Sequence, residues 1–192
     1  NKEGMEYLEA ENNPENDALG SRQIPFSNTI YIEREDFLEE PVKGYKRLST
    51  GKEVRLKYAY FIKCEEVIKN DEGEIIELIC TYDPETKSGS GFNARKPEGT
   101  IHWVDGTENT PIRVMRYEPL VEGNFDKKKS LEEQVNADSV HELHGFTEKS
   151  LEDAEDHEQF QFFRHGYFSK DSKYTDKLTF NETVSLKSSF KK

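Results

Sequence analysis

The stretch VRLKYAYFIK, residues 54–63, has apolar or aromatic side chains at every second position, namely Val54, Leu56, Tyr58, Tyr60 and Ile62. Alternation with a period of two is typical of a β-strand that buries one face. The positions between them include Arg55, Lys57 and Lys63, which would lie on the opposite face. The pattern therefore predicts one continuous strand with a basic face.

Similar short patterns on both sides of this stretch predict further strands. Ile75–Tyr82 continues the strand character, and the turn sequence Asn70–Gly73 predicts a long hairpin over residues 54–82. Other strands are predicted through residues 5–8, over residues 24–32 with an interruption near 27–28, and over residues 100–104, 112–117, 160–168 and 178–186.

Residues 9–20 are expected to form an exposed connection. Helix is limited to turns near 130–135, where Ser130 and Glu133 form a capping-box pattern, and near 151–156. We expect an all-β fold of the barrel or sandwich kind with a few short helices.

The composition sets limits on the class of protein. A chain of 192 residues is long enough for one domain or two small ones. No apolar run approaches the roughly 20 residues of a bilayer span, so we expect a cytosolic protein with no membrane partner. The 12 Phe, 9 Tyr and 1 Trp argue against full disorder. Cys64 and Cys80 form no CxxC motif, and we expect reduced, buried thiols.

The charge distribution contains two basic islands. The chain carries a net charge of -12, which at first argues against a nucleic-acid partner. Residues 41–63, however, hold seven Lys and Arg against one Glu, and residues 160–192 hold seven Lys and Arg against three acidic residues. Such islands can contact RNA while the acidic remainder keeps the protein soluble.

Motifs of common enzyme classes are missing from the sequence. The Gly-rich stretch GSGFNA, residues 89–94, lacks the lysine of a Walker loop. The five histidines have no zinc-ligand spacing with a cysteine, and no nucleophile or kinase motif occurs. A hydrolase with a carboxylate pair has no supporting spacing. We therefore predict no catalytic, cofactor-binding or metal-binding residue in this chain.

Residues 43–63, KGYKRLSTGKEVRLKYAYFIK, are the best candidate for a binding surface. They interleave basic and aromatic side chains, namely Lys46, Arg47, Lys52, Arg55 and Lys57 with Tyr45, Tyr58 and Tyr60. Cations bind phosphates and aromatic rings stack on unpaired bases, as in single-stranded RNA recognition. The same pattern also fits the polar outer face of a barrel strand, where lysines discourage aggregation. On this pattern alone both interpretations remain open.

Seven segments in order along the chain carry a family resemblance. They are GSRQIPFS, IYIEREDF, KGYKRLSTGKEVRLKYAYFIKCE, CTYDPET, KPEGTIHWV, FQFFRHGYF and LTFNETVSLKSSF, which fall between residues 20 and 190. Together they resemble the carboxy-terminal anticodon-binding part of the glutaminyl-tRNA synthetases, a class I family. The glutamyl synthetases of archaeal and eukaryotic type are the nearest alternative, and a β-rich protein-interaction module with acidic faces is the other.

The resemblance implies an architecture and a division of labour. It implies two β-barrels of the ribosomal-protein-like kind, a proximal one from residues 1–39 plus 121–192 and a distal one from residues 40–120. The parent enzyme would form glutaminyl-adenylate from ATP with magnesium in an amino-terminal Rossmann domain. The HIGH-type and KMSKS-type motifs of that domain are absent, so we expect a non-catalytic, monomeric fragment with no cofactor of its own. Its partner would be the anticodon loop of glutamine tRNA.

The resemblance also implies RNA-contacting residues. Arg47 matches the arginine associated with the third anticodon base, and Lys46 beside it is a further expected RNA contact. Arg55 and Lys57 match a basic pair near the first base. Gln161 and Arg164 match the pair that lines the pocket of the middle uridine. Gly44 departs from the family pattern, in which a polar side chain can stand at this place.

Strand geometry raises one difficulty for the two residues that are matched to the pocket of the middle uridine. Gln161 and Arg164 have opposite parity, so a regular strand would point their side chains to opposite faces. If both line one pocket, a bulge or bend near Gly166 is required.

Overall fold

The computed structural model describes residues 2–121 and 125–186 of the chain. The chain divides into two compact units, Asn1–Asn109 and Thr110–Lys192. Strands dominate the described residues of both units, and the helices there are 3-10 turns of three to five residues. The predicted all-β fold with few short helices is confirmed. Within these ranges, no helix has both the length and the apolar character needed to cross a membrane.

The described residues of the first unit form three sheets. Its strands are β1 (Glu6–Glu11), β2 (Ser21–Phe26), β3 (Ile30–Ile32), β4 (Glu53–Leu56), β5 (Phe61–Lys69), β6 (Ile75–Asp83), β7 (Thr100–Ile101) and β8 (Trp103–Asp105). β1 pairs with β2, and β3 pairs with β8, in both cases antiparallel. A four-stranded sheet contains β6, β5, β4 and β7 in that order, and β4 and β7 are parallel. β1 runs on to Glu11, so the connection predicted over residues 9–20 begins later than expected.

The continuous strand predicted over residues 54–63 is wrong. β4 ends at Leu56, and the chain turns back so that Val54 pairs with Ile62 and Arg55 with Phe61. Two backbone hydrogen bonds close the turn, from the Leu56 N–H to the Tyr60 carbonyl and from the Ala59 N–H to the Leu56 carbonyl, both 2.9 Å long. Tyr58 has a φ of 64°, in the left-handed region, which reverses the chain direction.

The hairpin between β5 and β6 confirms the predicted turn after residue 69. The Asn70 side chain accepts hydrogen bonds from the Glu72 and Glu74 N–H groups, and Gly73 has a φ of 83°. A positive φ costs glycine little, which explains the turn sequence. Cys64 and Cys80 lie opposite each other in this hairpin as free thiols; Cys64 is buried and Cys80 is half-buried.

One hydrophobic core holds the first unit together. Its buried side chains include Leu8, Phe26, Leu56 and Trp103. The Phe26 ring lies 5.4 Å from the Tyr60 ring and 5.3 Å from the Trp103 ring, measured between centroids. Aromatic side chains bury large areas, so this cluster connects β2, β8 and the turn after β4.

The second unit contains a five-stranded sheet. Its strands are β9 (Asn109–Tyr117), β10 (Val140–Glu148), β11 (Gln159–Phe162), β12 (Gly166–Lys170) and β13 (Thr179–Ser185), in the order β10, β9, β13, β12, β11. β13 pairs antiparallel with β12 and parallel with β9. The capping box near residue 130 is confirmed, because the Glu133 N–H donates to the Ser130 hydroxyl and the Ser130 N–H donates to the Glu133 carboxylate.

Phenylalanines from three strands pack in the core of the second unit. Phe180 is fully buried, and the Phe162 ring stacks on the Phe168 ring with centroids 4.4 Å apart. Phe160 lies edge-on to Phe180 at 5.7 Å. Alternate residues of β11 therefore face the core. The strand predicted over residues 160–168 is in fact two strands, β11 and β12, joined by a turn.

The division into two barrels stays a prediction. Among the described residues the sheets are open, with the pairings given above. Residues of β1 and β2 share a core with β4, β5 and β8 in the first unit. The predicted segments 1–39 plus 121–192 and 40–120 differ in their boundaries from the two compact units.

Candidate nucleic-acid interface

Arg47 forms an ion pair with a buried carboxylate. Its Nη1 atom donates to Oδ1 of Asp36, whose side chain has no exposed surface, whereas the Arg47 side chain remains 39% exposed. Asp36 is the last residue of a 3-10 turn, and its carbonyl oxygen accepts a 3.0 Å hydrogen bond from the Leu48 N–H. The guanidinium is therefore fixed on its inner side and accessible from solvent.

Lys46, the residue before Arg47, is exposed. Its carbonyl oxygen lies directly against Gly99, where an added Cβ would collide with it. This close approach fixes the backbone before Arg47. An exposed ammonium group on a fixed backbone suits a phosphate contact, which needs charge but little directionality.

Arg55 contacts protein groups on several sides. Its Nη1 atom lies 3.0 Å from the Thr86 carbonyl oxygen, 3.0 Å from the Ser88 hydroxyl and 3.3 Å from the Ala59 carbonyl oxygen. The guanidinium carbon lies 4.3 Å from the centroid of the Phe61 ring. Burial lowers the pKa of this guanidinium from its ordinary value. The side chain thus supports the loop after β6 as well as carrying charge.

Lys57 directly follows β4, and its N–H donates to the Ile101 carbonyl at 3.0 Å, just as the Arg55 N–H donates to the Gly99 carbonyl at 2.9 Å. That the two side chains share one face stays a prediction. Its Nζ atom is 5.0 Å from the centroid of the Tyr58 ring. The pKa of Lys57 is lowered by burial and by the nearby charge of Arg22, against the opposing effect of Glu11. The side chain of Lys57 therefore has different neighbours from that of Arg55.

Arg95 completes a basic cluster that the sequence did not reveal. It donates to Glu53 and Asp83 at 2.6–2.8 Å, and its guanidinium carbon is 5.5 Å from the Phe61 ring on which Arg55 also lies. Its hydrogen bonds to Glu53 and then to Asp83 raise the pKa of Arg95, and the two carboxylates offset its positive charge. Arg95 lies in the loop before β7, where no periodic pattern marks it. Its role is to connect β4 with β6.

Gln161 and Arg164 lie on one hairpin. Gln161 is exposed in the middle of β11, between the core residues Phe160 and Phe162, and pairs across the ladder with Tyr167. Phe163–His165 forms the turn, in which the His165 N–H donates to the Phe162 carbonyl at 2.9 Å. Arg164 has a φ of 68° and is half-buried. The chain therefore leaves the strand before Arg164, so strand parity no longer applies to the pair.

Comparison with known proteins identifies the family. Two protein-family models match the chain, over residues 1–83 and 100–171, and both are described as tRNA synthetases class I (E and Q), anti-codon binding domain. A glutamine–tRNA ligase of Clostridium perfringens is 53% identical over 190 residues, which are 97% of this chain and 34% of the ligase. Its counterpart in Clostridioides difficile is 50% identical, with 97% and 35% covered. The Haemophilus influenzae ligase is 45% identical, with 99% and 35% covered.

The chain thus spans about a third of the length of these curated relatives. The matched residues include the first basic island, the beginning of the second and every candidate RNA-contacting residue named above. The two matched segments together cover most of the chain. The chain belongs to the anticodon-binding domains of the class I tRNA synthetases for glutamate and glutamine.

Proposed function

We propose that this chain is the anticodon-binding region of a glutamine–tRNA ligase and that it binds the anticodon loop of glutamine tRNA. The observation that carries the proposal is the 53% identity to such a ligase over 97% of the chain. The three relatives described above all carry the glutamine name, which favours glutamine over the glutamyl alternative. Attachment of glutamine with ATP and magnesium then belongs to the rest of the parent enzyme.

The proposed contacts divide into base-reading and phosphate-holding side chains. Arg47 would read the third anticodon base, because a planar guanidinium can form two parallel hydrogen bonds with one base edge. Gln161 and Arg164 would line the pocket that binds the middle uridine. Such contacts read sequence, whereas contacts to phosphates fix orientation without discriminating between bases.

The remaining cations are assigned to the first base and the backbone. Arg55 and Lys57 would lie near the first base, and the exposed Lys46 would hold a phosphate. Arg55 is already hydrogen-bonded to Thr86 and Ser88, so its contribution to RNA would come from its charge and its remaining donors.

The experiment is a titration of the pure chain with glutamine tRNA and with a second tRNA at several salt concentrations. Phosphate contacts make both affinities fall with salt, and base contacts make glutamine tRNA bind more tightly at every salt concentration. A glutamine tRNA with a replaced anticodon is the matched control. Equal affinity for all three RNAs would contradict the proposal and favour a protein-interaction module.

A charging assay tests the division of labour. The pure chain, supplied with ATP, magnesium, glutamine and glutamine tRNA, should form no glutaminyl-tRNA, because the proposed catalytic domain lies elsewhere in the parent. Detectable charging would contradict the assignment. We also propose that the chain is a monomer, which sedimentation equilibrium measures directly, and that the parent enzyme acts in the cytoplasm.

A further inference from the structure

The ion pair between Asp36 and Arg47 has one buried end and one accessible end. The Asp36 side chain is 0% exposed, and the Arg47 side chain is 39% exposed. A buried carboxylate loses its hydration, and this loss is compensated only if a partner and hydrogen bonds replace the water. Arg47 is thus bound to a group that has little freedom to move away.

The backbone fixes Asp36 on both sides of its side chain. Its N–H donates to the Glu33 carbonyl and its carbonyl oxygen accepts from the Leu48 N–H, each at 3.0 Å. Phe37, the next residue, is 2% exposed and forms a parallel bridge with Leu48. Because Leu48 directly follows Arg47, these contacts set the position of the Arg47 backbone relative to the carboxylate.

The energetics of such a pair point to positioning. Buried ion pairs are weak contributors to stability, because desolvation offsets most of the attraction. A free arginine side chain, in contrast, has many rotamers, and binding would have to remove that freedom. A guanidinium held at one nitrogen before RNA arrives has already lost part of that freedom, and it keeps further N–H donors.

The charge of Asp36 has a second effect. A carboxylate beside Arg47 reduces the net positive potential at the guanidinium, which weakens nonspecific attraction to phosphates. Directional hydrogen bonds to a base edge are affected less, because they depend on geometry. The pair therefore favours base reading over phosphate binding at this position.

We propose that Asp36 is the positioning residue that orients Arg47 for the third anticodon base. This inference rests on the proposed function. If Asp36 orients Arg47, loss of the Asp36 charge should lower the discrimination between bases at the third anticodon position. Arg47 should then behave more like a phosphate contact.

The experiment measures binding of two anticodon stem-loops that differ only at the third anticodon base. Asp36→Asn should lower the ratio of the two affinities by about tenfold, the range expected when a base-reading arginine loses its geometry. The salt dependence of binding should become steeper. The matched control is Glu35→Gln, which removes the same charge from the neighbouring, exposed side chain and should leave the ratio unchanged.

A double-mutant cycle separates positioning from a general loss of structure. In the Arg47→Ala background, Asp36→Asn should cause no further change in the ratio, because there is no guanidinium left to orient. If Arg47→Ala lowers the ratio and Asp36→Asn does not, the positioning role is wrong. If the wild-type chain prefers neither stem-loop while binding tRNA, base reading by Arg47 fails, and if it binds no tRNA, the proposed function fails.

A measurement on the wild-type chain does not depend on the folding of a variant. The side-chain 15N relaxation of Arg47 in the free protein should give an order parameter above about 0.6, as for a restricted group. A value below this, typical of a freely moving side chain, would overturn the positioning role even if Asp36→Asn does not fold.

Discussion

The Nη1 atom of Arg55 lies 3.0 Å from the hydroxyl oxygen of Ser88, to which it donates a hydrogen bond across 33 residues of sequence. The same atom donates to the Thr86 carbonyl at 3.0 Å. Arg55 thereby connects β4 to the loop after β6. A residue that the family resemblance assigns to RNA therefore also holds part of the fold together.

Arg55→Ala should lower the free energy of unfolding of the first unit by about 1–3 kcal/mol, because three acceptors lose a charged donor. Lys63→Ala should lower it by less than about 1 kcal/mol, since the ion pair of Lys63 with Glu65 is exposed on both sides. Urea unfolding followed by the fluorescence of Trp103, the single tryptophan, reports on this unit. Equal destabilisation by the two substitutions would contradict the structural role of Arg55 in connecting β4 to the loop after β6.

The strand over residues 54–63 could not be predicted correctly because a tight hairpin preserves the same alternation. Val54 and Ile62 are cross-strand partners, so both face the core just as they would on one strand. The turn contains no Gly, Pro or Asn, and its left-handed residue is Tyr58. Arg164 takes the same role in the β11–β12 turn. Tertiary packing, rather than local turn chemistry, stabilises these conformations.

The role of Asp36 could not be predicted from the sequence either, since it stands among the charged residues Glu33–Asp36, and its burial and its ion pair with Arg47 appear only in the folded chain. The turn at residues 70–73 and the capping box at Ser130 were predicted because their side chains act within a few residues. Hydrogen bonds between residues close in sequence can be predicted from the sequence, whereas the burial of one charged side chain depends on residues distant in the chain.

The stability of the first unit should decrease as the pH rises from about 9 to 12. Burial, followed by the neighbouring Cys64, raises the pKa of Cys80 from its ordinary value of 9.0 to about 12. Above pH 9 the unfolded chain releases this proton and the folded chain retains it, so unfolding is increasingly favoured. The contribution is complete below pH 9 and is lost as the pH passes through 12.

Urea midpoints measured between pH 8 and 11 check this dependence. Cys80→Ala should flatten the decline, because it removes the titrating thiol, although tyrosines and lysines still contribute to the remaining slope. An identical slope in both proteins would mean that Cys80 titrates normally in the folded chain.

Gly166→Ala should destabilise the second unit by about 1–3 kcal/mol through overpacking. A methyl group at Gly166 would lie 2.5 Å from the Val184 carbonyl oxygen, a backbone atom that cannot move without disturbing the β12–β13 ladder. Gly145→Ala is the matched control, since its methyl group would meet nothing within 4 Å. Hydrogen exchange of the β12 and β13 amides measures the loss, and similar exchange in both variants would contradict it.

Gln161→Ala should raise tolerance for a middle anticodon base other than uridine. Uridine presents two carbonyls and an imino hydrogen on its pairing edge, and the glutamine amide offers both a donor and an acceptor to match them. Cytidine reverses two of these three groups. In a pocket that fits uridine, a buried donor of the protein would therefore face a donor of cytidine, which weakens binding of cytidine by about 1–3 kcal/mol. Alanine removes part of that conflict.

The structure makes Gln161 available for this role, because the side chain is exposed while Phe160 and Phe162 face the core. Gln159→Ala is the matched control, an exposed glutamine two residues earlier on the same face of β11. The measurement compares two stem-loops that differ only at the middle base. Gln161→Ala should reduce the ratio of their affinities and Gln159→Ala should not. If both variants keep the wild-type ratio, the FQFFR segment serves the fold of the second unit and does not read the base.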